Sequence, residues 1–280
     1  MNRRYWANSL VVPLYRDKIF QTPYNTTDPK FTKKGWFLKN KMWAPWFLNL
    51  RLLGEFPHLF VGVCRAMADL VMTHVNDIDV LIGVEMAGIP LVGGTVQALM
   101  DHYVTPVRFG YTRPLPEKVR TPKEALDMLG KMTPEVAGFG QKSYVEGVLR
   151  DKDRVAIFDD MSTGLASKII ARSIVLWEAE QRGVKIGECR KVLYFLNRNT
   201  ENRVAGVAFQ NDIEELHPTA LDVDYVLDFD VDCLPQLETV MHASEYALIR
   251  DYQNDPTQFQ DTDVQNDVLA QVAKDLGLTN

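Results

Sequence analysis

Residues 155–167 constrain the fold most, because an apolar run leads there into two acids and then into a turn of small and hydroxyl-bearing residues. The run Val-Ala-Ile-Phe at 155–158 is short and uniformly apolar, which is typical of a strand buried on both faces of a parallel sheet. We expect Asp159 and Asp160 to end this strand. Apolar residues recur at helical spacing over residues 168–177, so the turn lies at a helix N-terminus.

This turn combines groups that suit a phosphate with groups that suit a sugar. Backbone N–H groups, the positive end of the helix dipole and the hydroxyls of Ser162 and Thr163 converge there, which favours a phosphate. The two carboxylates precede it, so a 5-phosphorylated ribose is the ligand that fits both. In the alternative interpretation, Ser162 or Thr163 only caps the helix and the acids end the strand in solvent.

Further strand and helix patterns alternate along the chain. Strand candidates occur at residues 79–84, 105–111, 191–196 and 221–231. This alternation predicts an α/β fold with a mainly parallel sheet and helices on both faces. Such sheets bind ligands at the carboxyl ends of their strands, and Gly88, in the turn after the first of these strands, allows the backbone to approach a ligand closely.

Composition excludes several classes of protein. With 280 residues, 46% apolar and 24% charged, the chain can bury a large core. No apolar run approaches the ~20 residues of a membrane span and the N-terminus lacks a signal-peptide pattern, so we expect a cytoplasmic protein without membrane contact. The three cysteines are far apart, which indicates neither a zinc site nor a disulfide framework. The net charge of -6 argues against nucleic-acid binding.

The segment 155–167 resembles the signature with which type I phosphoribosyltransferases bind 5-phosphoribosyl 1-diphosphate (PRPP). The resemblance implies that Asp159 and Asp160 hold the ribose hydroxyls and that the turn cradles the 5-phosphate. The turn residues concerned are Ser162, Thr163, Gly164, Leu165 and Ala166. In this chain the turn is one residue shorter than usual between Asp160 and Ser162.

Two further segments resemble orotate phosphoribosyltransferases in particular. Leu-Lys-Asn at 38–40 and, four residues later, Pro-Trp-Phe-Leu-Asn at 45–49 are similar to the LKSG and PYFFN motifs of that family. The resemblance implies that Lys39 and Phe47 line a nucleobase pocket. Arg198 matches the arginine of a DRQE-like turn and is implied to contact orotate. In the alternative interpretation, the aromatic residues from 36 to 47 are a packing core.

The residues that would face pyrophosphate match the family less well. Gly-Ile-Pro at 88–90 resembles the YKGIP turn that holds pyrophosphate, which implies binding by Gly88 and Ala87, although Ala87 stands where the family has lysine. Arg113 matches the start of the catalytic loop, but Pro114 replaces a second basic residue.

Residues 138–147 resemble the end of that catalytic loop, which the family writes as K-x-H-G-x-G. Lys142 stands at the position of its lysine and Tyr144 at the position of its histidine. Alternatively, Lys142 is an exposed loop lysine. Residues 114–138 between the two loop ends look like an insertion. It contains a predicted helix at 122–132 with Thr121 as its N-cap.

The whole resemblance implies transfer of ribose 5-phosphate from PRPP to orotate, with Mg²⁺ carried by PRPP and bridging its pyrophosphate and ribose oxygens. It also implies a homodimer in which Lys142 serves the partner's site. We expect an arm and hood over residues 1–55, a catalytic core over 56–252 and a polar, loosely packed tail over 253–280. Three prolines in the first 30 residues predict that any helix there is short.

Two other functions stay open. The departures at Ala87, Pro114 and Tyr144 and the shortened phosphate turn favour a PRPP-family protein that binds nucleotides for regulation and has lost catalysis. The same departures are compatible with an enzyme for another nucleobase. Lys39 and Arg198 argue against that third possibility, because both match residues that bind orotate in the resembled family.

Overall fold

A computed structural model describes residues 1–26, 34–38, 41–132, 143–198 and 221–278. The α-helices of this part of the chain are α1 (Arg3–Arg16), α2 (Pro57–Met72), α3 (Gly88–Tyr103), α4 (Pro122–Lys131), α5 (Ala166–Gln181), α6 (Leu234–Leu237), α7 (Ala243–Asn254) and α8 (Thr262–Asp275). Its strands are β1 (Phe20–Gln21), β2 (Trp36–Phe37), β3 (Trp43–Ala44), β4 (Phe47–Leu48), β5 (Val80–Gly83), β6 (Arg108–Thr112), β7 (Val145–Glu146), β8 (Arg154–Ser162), β9 (Glu188–Asn197) and β10 (Asp222–Asp228). The chain forms two compact units, one of residues 60–226 and one that combines residues 2–59 with 227–280.

The first unit contains the predicted sheet. Among the described residues, six strands pair in the order β10-β9-β8-β5-β6-β7. The strands β6, β5, β8 and β9 run parallel to one another, and β7 is antiparallel to β6. All four residues of β5 are buried, as expected for a central parallel strand. The predicted α/β fold with a mainly parallel sheet is confirmed.

Helices pack directly on this sheet. Helix α3 contacts β5, β6 and β8, while α5 contacts β8 and β9. The predicted helix of the insertion is present as α4, and the Thr121 side chain accepts from the Glu124 N–H in a capping box, as expected.

The insertion is part of the sheet unit's core. Helix α4 packs against α5. Leu129 of α4 is only 2% exposed and belongs to the same buried cluster as Val145 and Ile157. The insertion therefore contributes to the stability of this unit.

The second unit has a different core, made of aromatic residues. The Trp46 ring is fully buried and stacks on Phe229 at 4.1 Å and on Phe20 at 5.0 Å between ring centroids. The packing interpretation therefore holds for Trp46. Helix α1 spans 14 residues and contains Pro13, so the predicted interruption is wrong. Burial of Trp6, Leu10 and Leu14 on one face stabilises this helix in spite of the hydrogen bond that proline removes.

Much of the predicted polar C-terminal tail is helical. Residues 262–275 form α8, and the segment before it is tied to the N-terminal part of the same unit. The backbone N–H of Trp43 donates to Gln260 Oε1 at 2.8 Å, and the Tyr24 hydroxyl donates to Asp275 at 2.8 Å. Polar composition did not reveal these contacts, because their partners lie more than 200 residues away in sequence. The hood expected of residues 1–55 stays a prediction.

Candidate functional site

Strand β8 continues beyond the position at which its apolar run ends. Asp159 pairs with Tyr194 and Ser162 pairs with Asn197 in the parallel ladder with β9. The prediction that Asp159 and Asp160 end the strand is therefore wrong. The physical reason is tertiary, because β9 supplies ladder partners for Asp159, Met161 and Ser162, which all lie past Phe158.

The two acids differ in their environments, because successive strand residues point to opposite faces of a sheet. Asp159 is buried, and its Oδ2 lies 2.8 Å from the Lys168 ammonium. Its Oδ1 accepts the Asp160 N–H at 2.9 Å. Asp160 is half-buried and accepts the Met161 N–H at 2.7 Å. Both oxygens of Asp159 are thus engaged inside the protein, whereas Asp160 is the more accessible carboxylate.

The pKa of Asp160 is also raised above its ordinary value. Burial, and then the negative charge of Asp159, raise the pKa of Asp160 to about 7, while the Lys168 charge opposes this rise. A carboxylate with a pKa near 7 can exist in both protonation states around neutral pH.

The turn after β8 leads into helix α5. The buried Ser162 hydroxyl donates to the Gly164 carbonyl at 2.8 Å within the turn. Leu165, which has no side-chain acceptor, occupies the N-cap position of α5. The alternative interpretation, in which Ser162 or Thr163 caps the helix, is therefore wrong. Thr163, Gly164, Leu165 and Ala166 are all half-buried at this N-terminus, where the helix dipole favours an anion.

Lys168 belongs to this site but was not predicted from the sequence. It is only 3% exposed, and its ammonium contacts Asp159, donates to the Met161 carbonyl and lies 5.7 Å from the centre of the Tyr194 ring. One sequence feature could have indicated it. A lysine in the first turn of a helix opposes the dipole, so it needs a carboxylate nearby.

The turn after β5 lies beside strand β8. Its Glu85–Met86 peptide bond is cis, and Ala87 is the buried N-cap residue of α3. A Cβ atom on Gly88 would lie 2.8 Å from the Phe158 carbonyl oxygen. The close packing of α3 against β8 therefore requires glycine at position 88.

Arg113 directly follows β6. Its guanidinium forms an ion pair with Glu146 of β7. The backbone N–H of Arg113 donates to the Tyr144 carbonyl at 2.8 Å. Tyr144 is buried with its ring edge against Trp177. Tyr144 is thus a core residue of the sheet unit. Lys142 lies outside the described residues.

Of the predicted nucleobase residues, Arg198 lies in the sheet unit. Arg198 is buried. Its backbone N–H donates to the Ser162 carbonyl at 2.8 Å, which joins the end of β9 to the end of β8. Phe47 is a half-buried residue of the second unit, where it pairs with Gln21 of β1. Lys39 lies outside the described residues.

Predicted site residues therefore follow the ends of four neighbouring parallel strands. The strands β5, β6, β8 and β9 share one direction, so their carboxyl ends meet at one edge of the sheet. Ala87, Arg113, the turn after Asp160 and Arg198 follow these ends. Open α/β sheets bind ligands at this edge.

Neither a metal cluster nor a membrane span occurs among the described residues. No group of three or more His, Cys, Asp or Glu side chains in that part of the chain could hold a metal ion. No helix described there is both long and apolar enough to cross a bilayer.

Comparison with solved structures identifies the fold of this chain. No protein-family model and no curated protein matches the sequence. Among solved structures, the UMP synthase of Leishmania donovani superposes with a TM-score of 0.56 and 18% identity over 91% of this chain; the chain spans 42% of that protein's length. The orotate phosphoribosyltransferase of Francisella tularensis superposes with a TM-score of 0.55 and 15% identity over 86% of this chain and 95% of its own. The chain has the fold of the type I phosphoribosyltransferases, in the form found in an orotate phosphoribosyltransferase.

Proposed function

We propose that this protein is a phosphoribosyltransferase that transfers ribose 5-phosphate from PRPP to a nucleobase, with orotate as the expected base and pyrophosphate as the leaving group. One observation carries the proposal. The acid pair and the turn at the start of α5 lie at the carboxyl edge of the parallel sheet, beside the turn after β5 and beside Arg198.

The chemistry of the transfer suits this arrangement. As the bond between ribose C1 and pyrophosphate loosens, the ribosyl group becomes cationic, and the Asp160 carboxylate stabilises that charge while it accepts the ribose hydroxyls. The 5-phosphate binds at the start of α5, where the dipole and the Thr163 hydroxyl favour an anion. No nucleophilic side chain is needed, because the nucleobase itself attacks C1.

Mg²⁺ would neutralise the departing pyrophosphate. The described residues contain no group of three ligand side chains for such an ion. Its donors would therefore be mainly the hard oxygens of PRPP, as is usual for Mg²⁺ at phosphates.

The preference for orotate rests on Arg198. Its guanidinium is buried at the end of β9, and its backbone is held against Ser162. A planar guanidinium binds a carboxylate such as that of orotate through two parallel hydrogen bonds.

The direct test is the loss of orotate absorbance that depends on PRPP and Mg²⁺. Asp160→Asn should lower turnover by about a hundredfold or more. Asp101→Asn, at an exposed carboxylate in the last turn of α3, is the matched control and should not. Equal activity of the two variants would refute the site.

A second candidate function is PRPP binding without catalysis. It is favoured by the ion pair that engages Arg113 with Glu146 and by the burial of Tyr144. Calorimetry with PRPP, combined with activity assays on a panel of nucleobases, separates the possibilities. Binding without turnover of any base would favour this candidate, and turnover of a base other than orotate would change the substrate.

We also propose that the protein is a homodimer in which Lys142 acts in the partner's site. Asp160→Asn and Lys142→Ala proteins should each have strongly reduced activity alone. Mixing them should restore up to one intact site per heterodimer. No recovery after verified subunit exchange would count against a shared site.

A further inference from the structure

We infer that Lys168 is a positioning residue that commits Asp159 to the protein interior, so that Asp160 alone receives the ribose hydroxyls. The inference rests on the proposed function, because it divides between two acids the role that the resemblance gives to both. It concerns a residue outside the PRPP-binding motif, two positions beyond its last turn residue, Ala166.

The Lys168 ammonium is enclosed by the protein. It lies 2.8 Å from Asp159 Oδ2, donates to the Met161 carbonyl and lies over the Tyr194 ring. Both side chains of the ion pair are less than a tenth exposed. A buried pair of this kind is fixed in position, because separating the charges would leave each one desolvated and uncompensated.

The position of the lysine in its helix also indicates a specific role. Lys168 lies in the first turn of α5, where the dipole disfavours a cation and where the proposed 5-phosphate would bind. Its neighbours Ile169 and Ile170 continue the apolar pattern of the helix. A buried lysine there needs a counter-charge, and the contact with Asp159 supplies it.

The charges around Asp160 lead to the same conclusion. Among the described residues, the charged groups that act on Asp160 are Asp159, which disfavours its ionisation, and Lys168, which favours it. A ribose hydroxyl donates to an ionised carboxylate. Lys168 therefore holds Asp159 away from the substrate and also keeps Asp160 ionisable near neutral pH.

The test compares Asp160 titration in the wild-type protein, Lys168→Met and the double variant Asp159→Asn/Lys168→Met. Carbon-13 NMR of carboxyl-labelled aspartate follows Asp160 directly, with Asp160→Asn assigning the signal. Lys168→Met should raise the titration midpoint by about one pH unit or more, because only the repulsive neighbour is left. The double variant should titrate below the wild type, because the stronger influence of Asp159 is also removed. An unchanged midpoint in Lys168→Met would overturn the inference.

The double variant also guards against misfolding, because it leaves no unpaired buried charge. If Lys168→Met does not fold, the double variant still decides the question. A midpoint above that of the wild type would overturn the inference.

PRPP affinity at pH 8 gives the second measurement. The double variant should bind PRPP within about tenfold of the wild type, whereas Asp160→Asn should lose about a hundredfold. Equal losses would show that Asp159 is itself a ribose ligand and would overturn the inference. If the wild type binds no PRPP while the midpoints shift as expected, the proposed function fails and the role of Lys168 in positioning the acids stands.

Discussion

The backbone N–H of Arg198 donates to the carbonyl oxygen of Ser162 across 2.8 Å, so the residue after β9 is held against the last residue of β8. The proposed phosphate turn and the proposed base-reading arginine are therefore parts of one hydrogen-bonded ladder. A backbone hydrogen bond survives any replacement other than proline, which allows the side chain of Arg198 to be tested separately.

Replacing Arg198 with Met should weaken orotate far more than PRPP. Methionine keeps much of the buried volume but removes a charge-assisted hydrogen bond worth about 1.5–3 kcal/mol, or roughly tenfold to a hundredfold in affinity. Calorimetry of the two ligands measures this. Equal losses for both would indicate a general disturbance of the site.

Asp160→Asn should stabilise the protein at pH 8 but not at pH 4. The folded-state pKa of Asp160 is raised to about 7 from an ordinary value of 3.8, so the folded state prefers the proton and loses stability as pH rises between these values. Asparagine removes that cost, about 1–3 kcal/mol once solvent screening of a half-buried group is allowed for. Urea denaturation at the two pH values measures the difference, and an equal effect at both would contradict the prediction.

Gly88→Ala should destabilise the sheet unit by about 1–3 kcal/mol, because the new Cβ would lie 2.8 Å from the Phe158 carbonyl oxygen and backbone must move. Gly130→Ala is the matched control. A Cβ atom at position 130 would point into open space, and alanine favours a helix. The control should be neutral or stabilising by up to about 1 kcal/mol in thermal denaturation. Similar losses at both positions would contradict the packing role of Gly88.

Leu129→Ala in α4 should cost about 2–4 kcal/mol, because the side chain is buried in the core of the sheet unit. Lys123→Ala, at an exposed position of the same helix, should change stability by less than about 0.5 kcal/mol. Urea denaturation compares them. A negligible loss for Leu129→Ala would show that the insertion is an independent appendage.

Local patterns determined much of the fold. Uniformly apolar runs such as 80–82 and 155–158 predict buried parallel strands, since only a strand covered on both faces needs no polar side. Thr121 and Glu124 are three residues apart, so their capping box is legible from the sequence. The order of strands and turns also placed Arg113, the acid pair and Arg198 at one edge, because parallel strands share their direction.

Tertiary structure decided what neighbouring residues could not specify. Asp159 and Asp160 are chemically identical in the sequence, but the ladder with β9 extends β8 through both and turns them to opposite faces. Of the two, Asp159 forms the ion pair with Lys168, which lies nine residues further along the chain, and Asp159 is buried. The last residue of helix α8, Asp275, likewise accepts a hydrogen bond from Tyr24 near the other end of the chain. Sequence periodicity reports which elements form, whereas the environment of each charge depends on what the fold brings next to it.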